Sequence, residues 1–193
     1  AAMRAVIALA TQQDMELKHF DITAAFVSSD CDRDNIYLAA PAGFEHLVPK
    51  GKCLRLRKSL YGLKQASHLY FKRLQRWLIQ YGFQKVDDEG TLYRYKNKRK
   101  EEMILSMYVD DGLVASTSTR VYEEFLAQFK KEFTISDQGD LHYYLGVKIT
   151  RDRVAGRTTL SQEQYIEDLL KRFGMEDEKF RAVPTPFPEN FHM

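Results

Sequence analysis

Three aspartates lie at the ends of apolar segments, where a charged side chain is costly unless something neutralises it. Asp110 and Asp111 follow the apolar run 103–109, and Asp21 lies between two apolar residues. Clustered carboxylates repel one another, and a bound cation removes this repulsion. Their oxygens suit Mg²⁺, which binds through one or two carboxylates together with substrate phosphates. Because two such ions clamp the oxygens of an in-line phosphoryl transfer, these residues are candidate catalytic and metal-binding groups.

The same aspartates have a structural interpretation. Asp111-Gly112 between two apolar strands is a strong turn signal, and Asp21 stands where a residue can cap a following helix. For either site alone, the structural interpretation is favoured. A meeting of both sites at one edge of the fold favours the metal-binding interpretation instead.

A basic strip is the second candidate site. Between Lys50 and Arg76 the chain has nine basic residues and no acidic ones, although the whole protein carries a net charge of only +2. Aromatic residues are interleaved with these charges, a composition typical of surfaces that follow nucleic-acid phosphates. Lys72, Arg73 and Arg76 are the helical part of this strip. A solvated face, with Lys and Arg stems lying over apolar neighbours, explains the charges equally well.

The periodicity of apolar residues predicts the elements that must position these groups. In chain order they are a strand near 17–21, a helix over 65–81, hairpin strands within 103–116, a helix over 120–133 and a strand over 141–150. This β-α-β-β-α-β order predicts an α+β, ferredoxin-like fold, with an antiparallel sheet, helices on one face and the other face left for a ligand. The first strand neighbours the hairpin in such a sheet, so we expect Asp21 to meet Asp110 and Asp111.

Beside a first helix over Met3–Gln13, a further helix is predicted to open at the capping sequence Ser161–Gln164 and to close at Gly174. Its apolar residues form one stripe that we expect to face inward, namely Tyr165, Ile166, Leu169, Leu170 and Phe173. The last segment, Val183–Met193, contains three prolines and is predicted to be an extended tail.

Length and composition exclude several classes of protein. The 193 residues are 44% apolar and 29% charged, which is typical of a folded globular protein rather than a disordered one. No apolar run approaches the ~18 residues of a membrane span. Two cysteines, Cys31 and Cys53, make neither a disulfide framework nor a zinc site. The first residues read as the middle of a helix, so we expect the chain to be part of a longer protein.

Several motifs resemble those of reverse transcriptases. Tyr108-Val109-Asp110-Asp111 is similar to their signature hairpin, and segment 20–26 is similar to their first carboxylate motif. More specifically, the chain resembles the reverse transcriptase of copia-type LTR retrotransposons. Further motifs of that group follow in order at Ile36-Tyr37, Pro41–Phe44, Ser59–Ala66, Gly139–Gly146, Leu160–Ile166 and Pro184–Pro186.

The resemblance implies an RNA-directed DNA polymerase that uses two Mg²⁺ ions, with Mn²⁺ as the alternative. Its implied catalytic and metal-binding residues are Asp21, Asp110 and Asp111, joined by the backbone of Ile22. The implied nucleotide-binding residues are Ala24, Ala25, Phe26, Tyr61, Gly62 and Gln65, with Phe26 as the steric gate against a ribose 2′-hydroxyl. Implied contacts with template and primer involve Lys64, Tyr108, Tyr144, Leu145 and Gly146, beside the helical cations of the basic strip.

The resemblance also implies partners and a domain organisation. We expect a template–primer of RNA or DNA, a deoxynucleoside triphosphate, and further polyprotein segments: fingers, RNase H and integrase. Residues 1–150 are predicted to form the palm, with most of the fingers segment missing, and residues 151–193 a connection or thumb-like segment. No membrane partner is expected, and the resemblance leaves the oligomeric state open. The implied location is the cytoplasm, within a virus-like particle, with nuclear passage as an alternative.

Two other functions agree with parts of the sequence. A non-catalytic RNA-binding module would suit a sheet with exposed aromatic residues and a basic flank, but three converging carboxylates would repel its phosphates. A domesticated remnant that still binds RNA or DNA is the main alternative to an active enzyme. One departure from the family pattern is Gly112, which stands where a bulky apolar residue is usual.

Overall fold

The computed structural model describes residues 2–175, which divide into two compact units. The first unit comprises the described residues up to Leu141 together with Asp152–Thr158. The second comprises His142–Arg151 and the described residues from Thr159 onward. The Pro-rich segment Val183–Met193 and the motif Pro184–Pro186 lie outside the described residues.

The first unit is built on a six-stranded antiparallel sheet. Its strands are β1 (Glu16–Ile22), β4 (Gln84–Lys85), β5 (Leu92–Lys96), β6 (Glu102–Tyr108), β7 (Asp111–Ser116) and β8 (Ile135–Asp140). They lie in the order β4-β5-β6-β7-β1-β8. Two short strands, β2 (Tyr37–Leu38) and β3 (Leu54–Arg55), pair with each other. The predicted α+β fold with an antiparallel sheet is therefore confirmed.

Two helices, α2 (Ala66–Tyr81) and α3 (Thr119–Phe129), pack on the sheet and form the main core with it. Helix α2 buries Tyr70, Leu74 and Leu78, residues spaced at one turn of a helix. It ends at Gly82, whose φ of 117° is readily adopted only by glycine. Helix α3 begins where the Ser118 hydroxyl accepts a hydrogen bond from the amide of Val121.

The sequence predicted that the opposite face of the sheet is left for a ligand, and this is wrong, because α1 (Ala2–Gln12) contacts β1, β6 and β7. Met103 and Leu105 belong to the core under α2 and α3, so Ile104 between them points to the other face. There Ile104 lines a cavity together with Val6 and Leu9 of α1. The apolar stripe of α1 indicates that this helix needs a partner, but periodicity does not say which face supplies it.

The strand predicted over 141–150 is wrong as the fourth strand of this sheet. That position is held by β8, which pairs with β1. Segment 135–140 is polar apart from Ile135, and most of its residues are exposed. An edge strand with little burial has no apolar alternation, so sequence periodicity could not find it.

The second unit contains β9 (Tyr143–Tyr144), most of β10 (Val147–Asp152), the end of β11 (Arg157–Ser161) and α4 (Glu163–Arg172). The three strands lie in the order β11-β10-β9. The expectation that the stripe of α4 faces inward is wrong within the described part of the chain, since Tyr165 and Ile166 are each 56% exposed. Amphipathic periodicity predicts a face that favours burial, but it does not supply the surface that covers it. None of the helices among residues 2–175 has the length and apolar character needed to cross a membrane.

Candidate active site

Pairing between β1 and β7 brings the three aspartates to one end of the sheet. Asp21 lies directly opposite Asp111 in the antiparallel register. The amide of Ile22 donates a hydrogen bond to the carbonyl of Asp110 at 2.9 Å, so the pairing continues to the end of the strand. All three aspartates are half-buried. Two strands and the loop between β6 and β7 therefore fix the backbone beneath these carboxylates.

The loop between β6 and β7 is tight and strained. Tyr108 pairs with Asp111, which leaves Val109 and Asp110 as a two-residue hairpin loop. Val109 has a φ of 58°, a region in which hairpins usually place glycine. A β-branched residue there costs about 1–3 kcal/mol, and the surrounding structure must hold it in place. One contact that does so comes from α2, where the hydroxyl of Tyr70 donates to the carbonyl of Val109 at 2.9 Å.

Gly112 is required by the ring of Phe20. A Cβ atom at position 112 would lie 2.2 Å from Cζ of Phe20, which is far inside van der Waals contact. Phe20 is fully buried and packs against Phe125 and Phe129 of α3, so its ring has no room to withdraw. The departure from the family pattern at Gly112 is therefore matched by the aromatic residue on the neighbouring strand.

Electrostatics at this end of the sheet favour the neutral forms of Asp21 and Asp111. Burial, followed by the negative charge of Asp110, raises the pKa of Asp21 above its usual value. Burial also raises the pKa of Asp111, with smaller contributions from Asp110 and Asp21. The pKa of the Tyr70 phenol is raised as well, first by burial and then by Asp110 and Asp21, which keeps this hydroxyl a hydrogen-bond donor. These influences show that the four side chains share one electrostatic environment.

The carboxylates fit a divalent cation in chemistry but do not form a ready-made cage. Half-buried carboxylates that repel one another are hard oxygen ligands, and a divalent cation would relieve the repulsion. Among residues 2–175, however, no group of three or more His, Cys, Asp or Glu side chains is close enough together to hold a metal ion. The donor set is thus present on neighbouring backbone positions without being assembled around an ion.

The segment after β1 turns sharply and presents an aromatic cluster. The amide of Thr23 donates to the carbonyl of Thr134 at 2.9 Å, and Ala24 has a positive φ of 54°. Ala25 is buried and precedes a 3₁₀ helix, Phe26–Ser28. The half-buried ring of Phe26 lies 4.8 Å from the ring of Tyr61. Phe26 therefore packs against the core on one side and reaches the surface on the other.

The loop before α2 carries the other predicted nucleotide-binding residues. Tyr61 is 53% exposed, and Gly62 has a φ of 91°. Lys64 is exposed, and Gln65 is half-buried at the position that precedes the first residue of α2. The Phe26–Tyr61 ring contact joins this loop to the segment after β1. Tyr108, at the end of β6, is 60% exposed.

The helical part of the basic strip contains both exposed cations and one cation that is held by the protein. Lys72 and Arg76 are exposed on α2. Arg73 instead donates to the carboxylate of Glu132 at 2.7 Å and to the carbonyl of Ser28, and its guanidinium lies 4.7 Å from the centre of the Phe133 ring. Arg73 thus ties α2 to the segment that carries Phe26, while its assignment as a nucleic-acid contact stays a prediction.

The residues predicted to hold the primer end lie in the second unit. Leu145 and Gly146 form the two-residue loop between β9 and β10, with φ values of 49° and 76°. Positive φ at both positions is characteristic of a type I′ hairpin turn. Tyr144 is buried and Leu145 is 42% exposed. The structure thus gives Gly146 a backbone role in this turn.

Sequence reasoning did not find Tyr70 as a site residue. Its position on the apolar stripe of α2 indicates a core residue, and the structure confirms that it is fully buried. A buried phenol needs a hydrogen-bond partner, which is the one signal that sets it apart from Leu74 and Leu78. That partner is 39 residues away along the chain, so local sequence could not identify it.

The fold and the site together define an α+β protein with an acidic centre at one end of its sheet, beside an aromatic cluster and a basic helix. A family model described as reverse transcriptase (RNA-dependent DNA polymerase) matches residues 1–186. The chain belongs to this family, and the relatives it matches confirm the resemblance to the copia-type group.

Three curated relatives are Pol polyproteins of plant transposons. The chain is 32% identical over 185 residues to the retrovirus-related Pol polyprotein from transposon TNT 1-94 of Nicotiana tabacum, a match that covers 96% of the chain. Those from transposons RE1 and RE2 of Arabidopsis thaliana are 30% and 31% identical, over 96% and 95% of the chain. The chain spans 14% of the length of the first relative and 12% of the other two.

Proposed function

We propose that this chain holds the polymerase centre of a reverse transcriptase, which extends a primer with deoxynucleotides along an RNA or DNA template. The observation that carries the proposal is the register of β1 against β7, with Asp21 opposite Asp111 and Asp110 in the adjoining loop. Carboxylates from two strands at one sheet end are the arrangement expected of a phosphoryl-transfer centre that uses cations.

The palm interpretation of the fold is part of the proposal. Four of the six strands lie in the order β6-β7-β1-β8 in the sheet. Along the chain, α2 lies between β1 and β6, and α3 lies between β7 and β8. This arrangement supports a ferredoxin-like split βαβ unit. The interpretation of the C-terminal segment as connection or thumb-like rests on the resemblance alone.

Asp21, Asp110 and Asp111, with the backbone of Ile22, would hold two Mg²⁺ ions, or Mn²⁺ in their place. Such ions supply charge neutralisation of the triphosphate and a more acidic primer 3′-hydroxyl. The protein's own contribution is positioning, because the strand register fixes the backbone beneath each carboxylate before a substrate binds. Lys64, Lys72 and Arg76 would attract the template–primer through its phosphates.

Phe26 is proposed to select the sugar. Its ring lies between the exposed ring of Tyr61 and the core residue Tyr70, at 4.8 and 5.8 Å between ring centres. A ribose 2′-hydroxyl that meets this ring would lose its water without gaining a hydrogen bond. Phe26→Val is expected to admit ribonucleotides. Phe71→Val is the matched control. It removes a different ring that packs on Tyr70, and it should leave the choice of sugar unchanged.

Primer extension by the full natural chain tests the proposed function. Asp110→Asn is expected to lower the extension rate at least about a hundredfold, because it removes a charge on which the developing transition state depends. Glu101→Gln, a change at the far end of β6, is the control and should retain activity. Full activity of Asp110→Asn would refute the polymerase proposal. Salt-sensitive nucleic-acid binding without extension by the wild type would instead favour the non-catalytic remnant.

A further inference from the structure

Tyr70 stands out among the buried residues of α2 because it brings a polar group into an apolar stripe. It is fully buried, as are Leu74 and Leu78 on the same face. A phenol at such a position is unfavourable unless its hydroxyl is hydrogen-bonded. The hydroxyl donates to the carbonyl of Val109 at 2.9 Å, across 39 residues of sequence. The side chain therefore joins the core helix to the hairpin loop that precedes Asp111.

The carbonyl of Val109 is an effective place to hold this loop. This carbonyl and the amide nitrogen of Asp110 belong to the same peptide unit. Because the unit is planar, the two groups keep a fixed orientation to each other. Fixing the carbonyl therefore fixes the plane from which the Asp110 side chain starts. Val109 has a φ of 58°, a conformation that a β-branched residue keeps only when its surroundings enforce it. The hydrogen bond from Tyr70 is one such constraint.

The ring of Tyr70 makes a second contact that concerns the nucleotide. Its centre lies 5.8 Å from the centre of the Phe26 ring, at an interplanar angle of 68°. Such edge-to-face packing restricts the tilt of both rings. Phe26 is the residue proposed to select the sugar. Tyr70 therefore contacts the Val109–Asp110 loop through its hydroxyl and Phe26 through its ring.

We propose that Tyr70 is a positioning residue for both parts of the centre: its hydroxyl orients the Val109–Asp110 loop, and its ring sets the place of Phe26. This inference rests on the proposed polymerase function. It separates two roles of one side chain, so two substitutions at position 70 have different expected effects. Loss of the hydroxyl alone should weaken the binding of divalent cations and lower the rate of primer extension. Loss of the ring should also relax the choice of sugar.

The test compares Tyr70→Phe with a matched control, Tyr122→Phe, in the full natural chain. Tyr122, on α3, is also a buried tyrosine, and its hydroxyl donates to the carboxylate of Asp137 on β8 at 2.9 Å. Each substitution removes one hydroxyl and one hydrogen bond, so both should lower the melting temperature, Tyr122→Phe by at least as much because its bond is to a carboxylate. Only Tyr70→Phe is expected to weaken Mn²⁺ binding, measured by electron paramagnetic resonance without substrate.

Kinetics provide the second readout. Tyr70→Phe is expected to lower kcat roughly tenfold and to raise the Mg²⁺ concentration for half-maximal extension, while the KM for the deoxynucleotide and the sugar preference stay unchanged. Tyr70→Leu is expected to add a loss of discrimination against ribonucleotides. Mn²⁺ binding and kcat of Tyr70→Phe equal to those of the wild type would overturn the inference. So would the same losses in Tyr122→Phe, since they would show general destabilisation.

The two proposals fail in distinguishable ways. If the wild type and Asp110→Asn bind Mn²⁺ equally and neither extends a primer, the polymerase proposal is wrong and the inference about Tyr70 falls with it. If the wild type is active, Asp110→Asn is inactive and Tyr70→Phe behaves as the wild type, only the inference about Tyr70 is wrong.

Discussion

A pair of adjacent acidic residues flanks strand β6 on each side, Glu101 and Glu102 at its start and Asp110 and Asp111 just beyond its last residue, and the two pairs have opposite surroundings. Glu101 precedes the strand, and Glu102 begins it. Glu101 accepts a hydrogen bond from Arg120, and Glu102 accepts hydrogen bonds from both Arg94 and Lys96. Hydrogen bonds from Asn97 and Arg120 lower the pKa of Glu101, and those from Lys96 and Arg94 lower the pKa of Glu102.

At the other end, burial raises the pKa of Asp111, and the negative charges of Asp110 and Asp21 raise it further. Acidic residues alone therefore do not mark a site. Where the surroundings lower a carboxyl pKa, the carboxylate stabilises the fold. Where they raise it, the fold is strained by its own charges, and a bound cation has repulsion to relieve. The far end of β6 is therefore the internal control for the centre.

The largest effect is expected from Gly112→Ala. This change disturbs the end of β6 that is next to Asp110 and Asp111 and leaves the end with Glu101 and Glu102 intact. The new Cβ would meet the Phe20 ring at 2.2 Å, so we expect a loss of about 1–3 kcal/mol or more in the free energy of unfolding. Denaturant unfolding measures the loss. Phe20→Leu in the same chain should recover part of it, and a double-mutant cycle without coupling would contradict the contact.

The next effect separates the two kinds of cation on α2. Arg73→Ala should lower the free energy of unfolding by about 1.5–3 kcal/mol, because it removes charged hydrogen bonds to Glu132 and Ser28. Lys72→Ala should leave stability nearly unchanged and make nucleic-acid binding less dependent on salt, since one phosphate contact is lost. Binding measured at several salt concentrations checks this contrast, and equal salt dependence in both variants would count against it.

The smallest effects are opposite in sign at the two ends of β6. The folded-state pKa of Asp111 is raised from 3.8, so its contribution to stability is present below that value and is lost as the pH rises. The folded-state pKa of Glu102 is lowered from 4.5, so its contribution is present above that value and is lost as the pH falls. At neutral pH, Asp111→Asn should raise the melting temperature and Glu102→Gln should lower it.

Both of these changes should stay below about 1 kcal/mol, because solvent screens half-exposed charges. Both should fade at a pH below the usual carboxyl values, where the carboxyl groups of the folded and unfolded chains are protonated. Melting curves recorded between neutral and acidic pH measure this. A shift of the same sign in both variants would remove the contrast between the two ends.

Sequence patterns predicted those parts of the molecule that depend on local periodicity. The stripe of Tyr70, Leu74 and Leu78 marked α2, and the apolar runs around Asp21 and Asp110 placed both residues at strand ends. Strand β8 was missed because an exposed edge strand has no apolar alternation. The place of α1 was missed because amphipathicity specifies a need for burial and not a partner.

The finer features of the centre arise from contacts between distant segments. The pairing of Arg73 with Glu132 spans 59 residues, and the bond from Tyr70 to Val109 spans 39. The need for glycine at position 112 follows from a ring on another strand. Each requires the assembled sheet, so no local pattern in the sequence encodes it.

Thermal melting with and without a divalent cation is the most direct test of whether Asp21, Asp110 and Asp111 bind a metal ion. Mg²⁺ or Mn²⁺ at neutral pH should raise the melting temperature of the wild type, increasingly with concentration, because the cation binds the folded chain preferentially. We expect Asp21→Asn to lose most of this increase and Glu102→Gln to keep it. An equal increase in all three proteins, or none in the wild type at millimolar concentrations of the cation, would contradict a metal-binding centre at Asp21, Asp110 and Asp111.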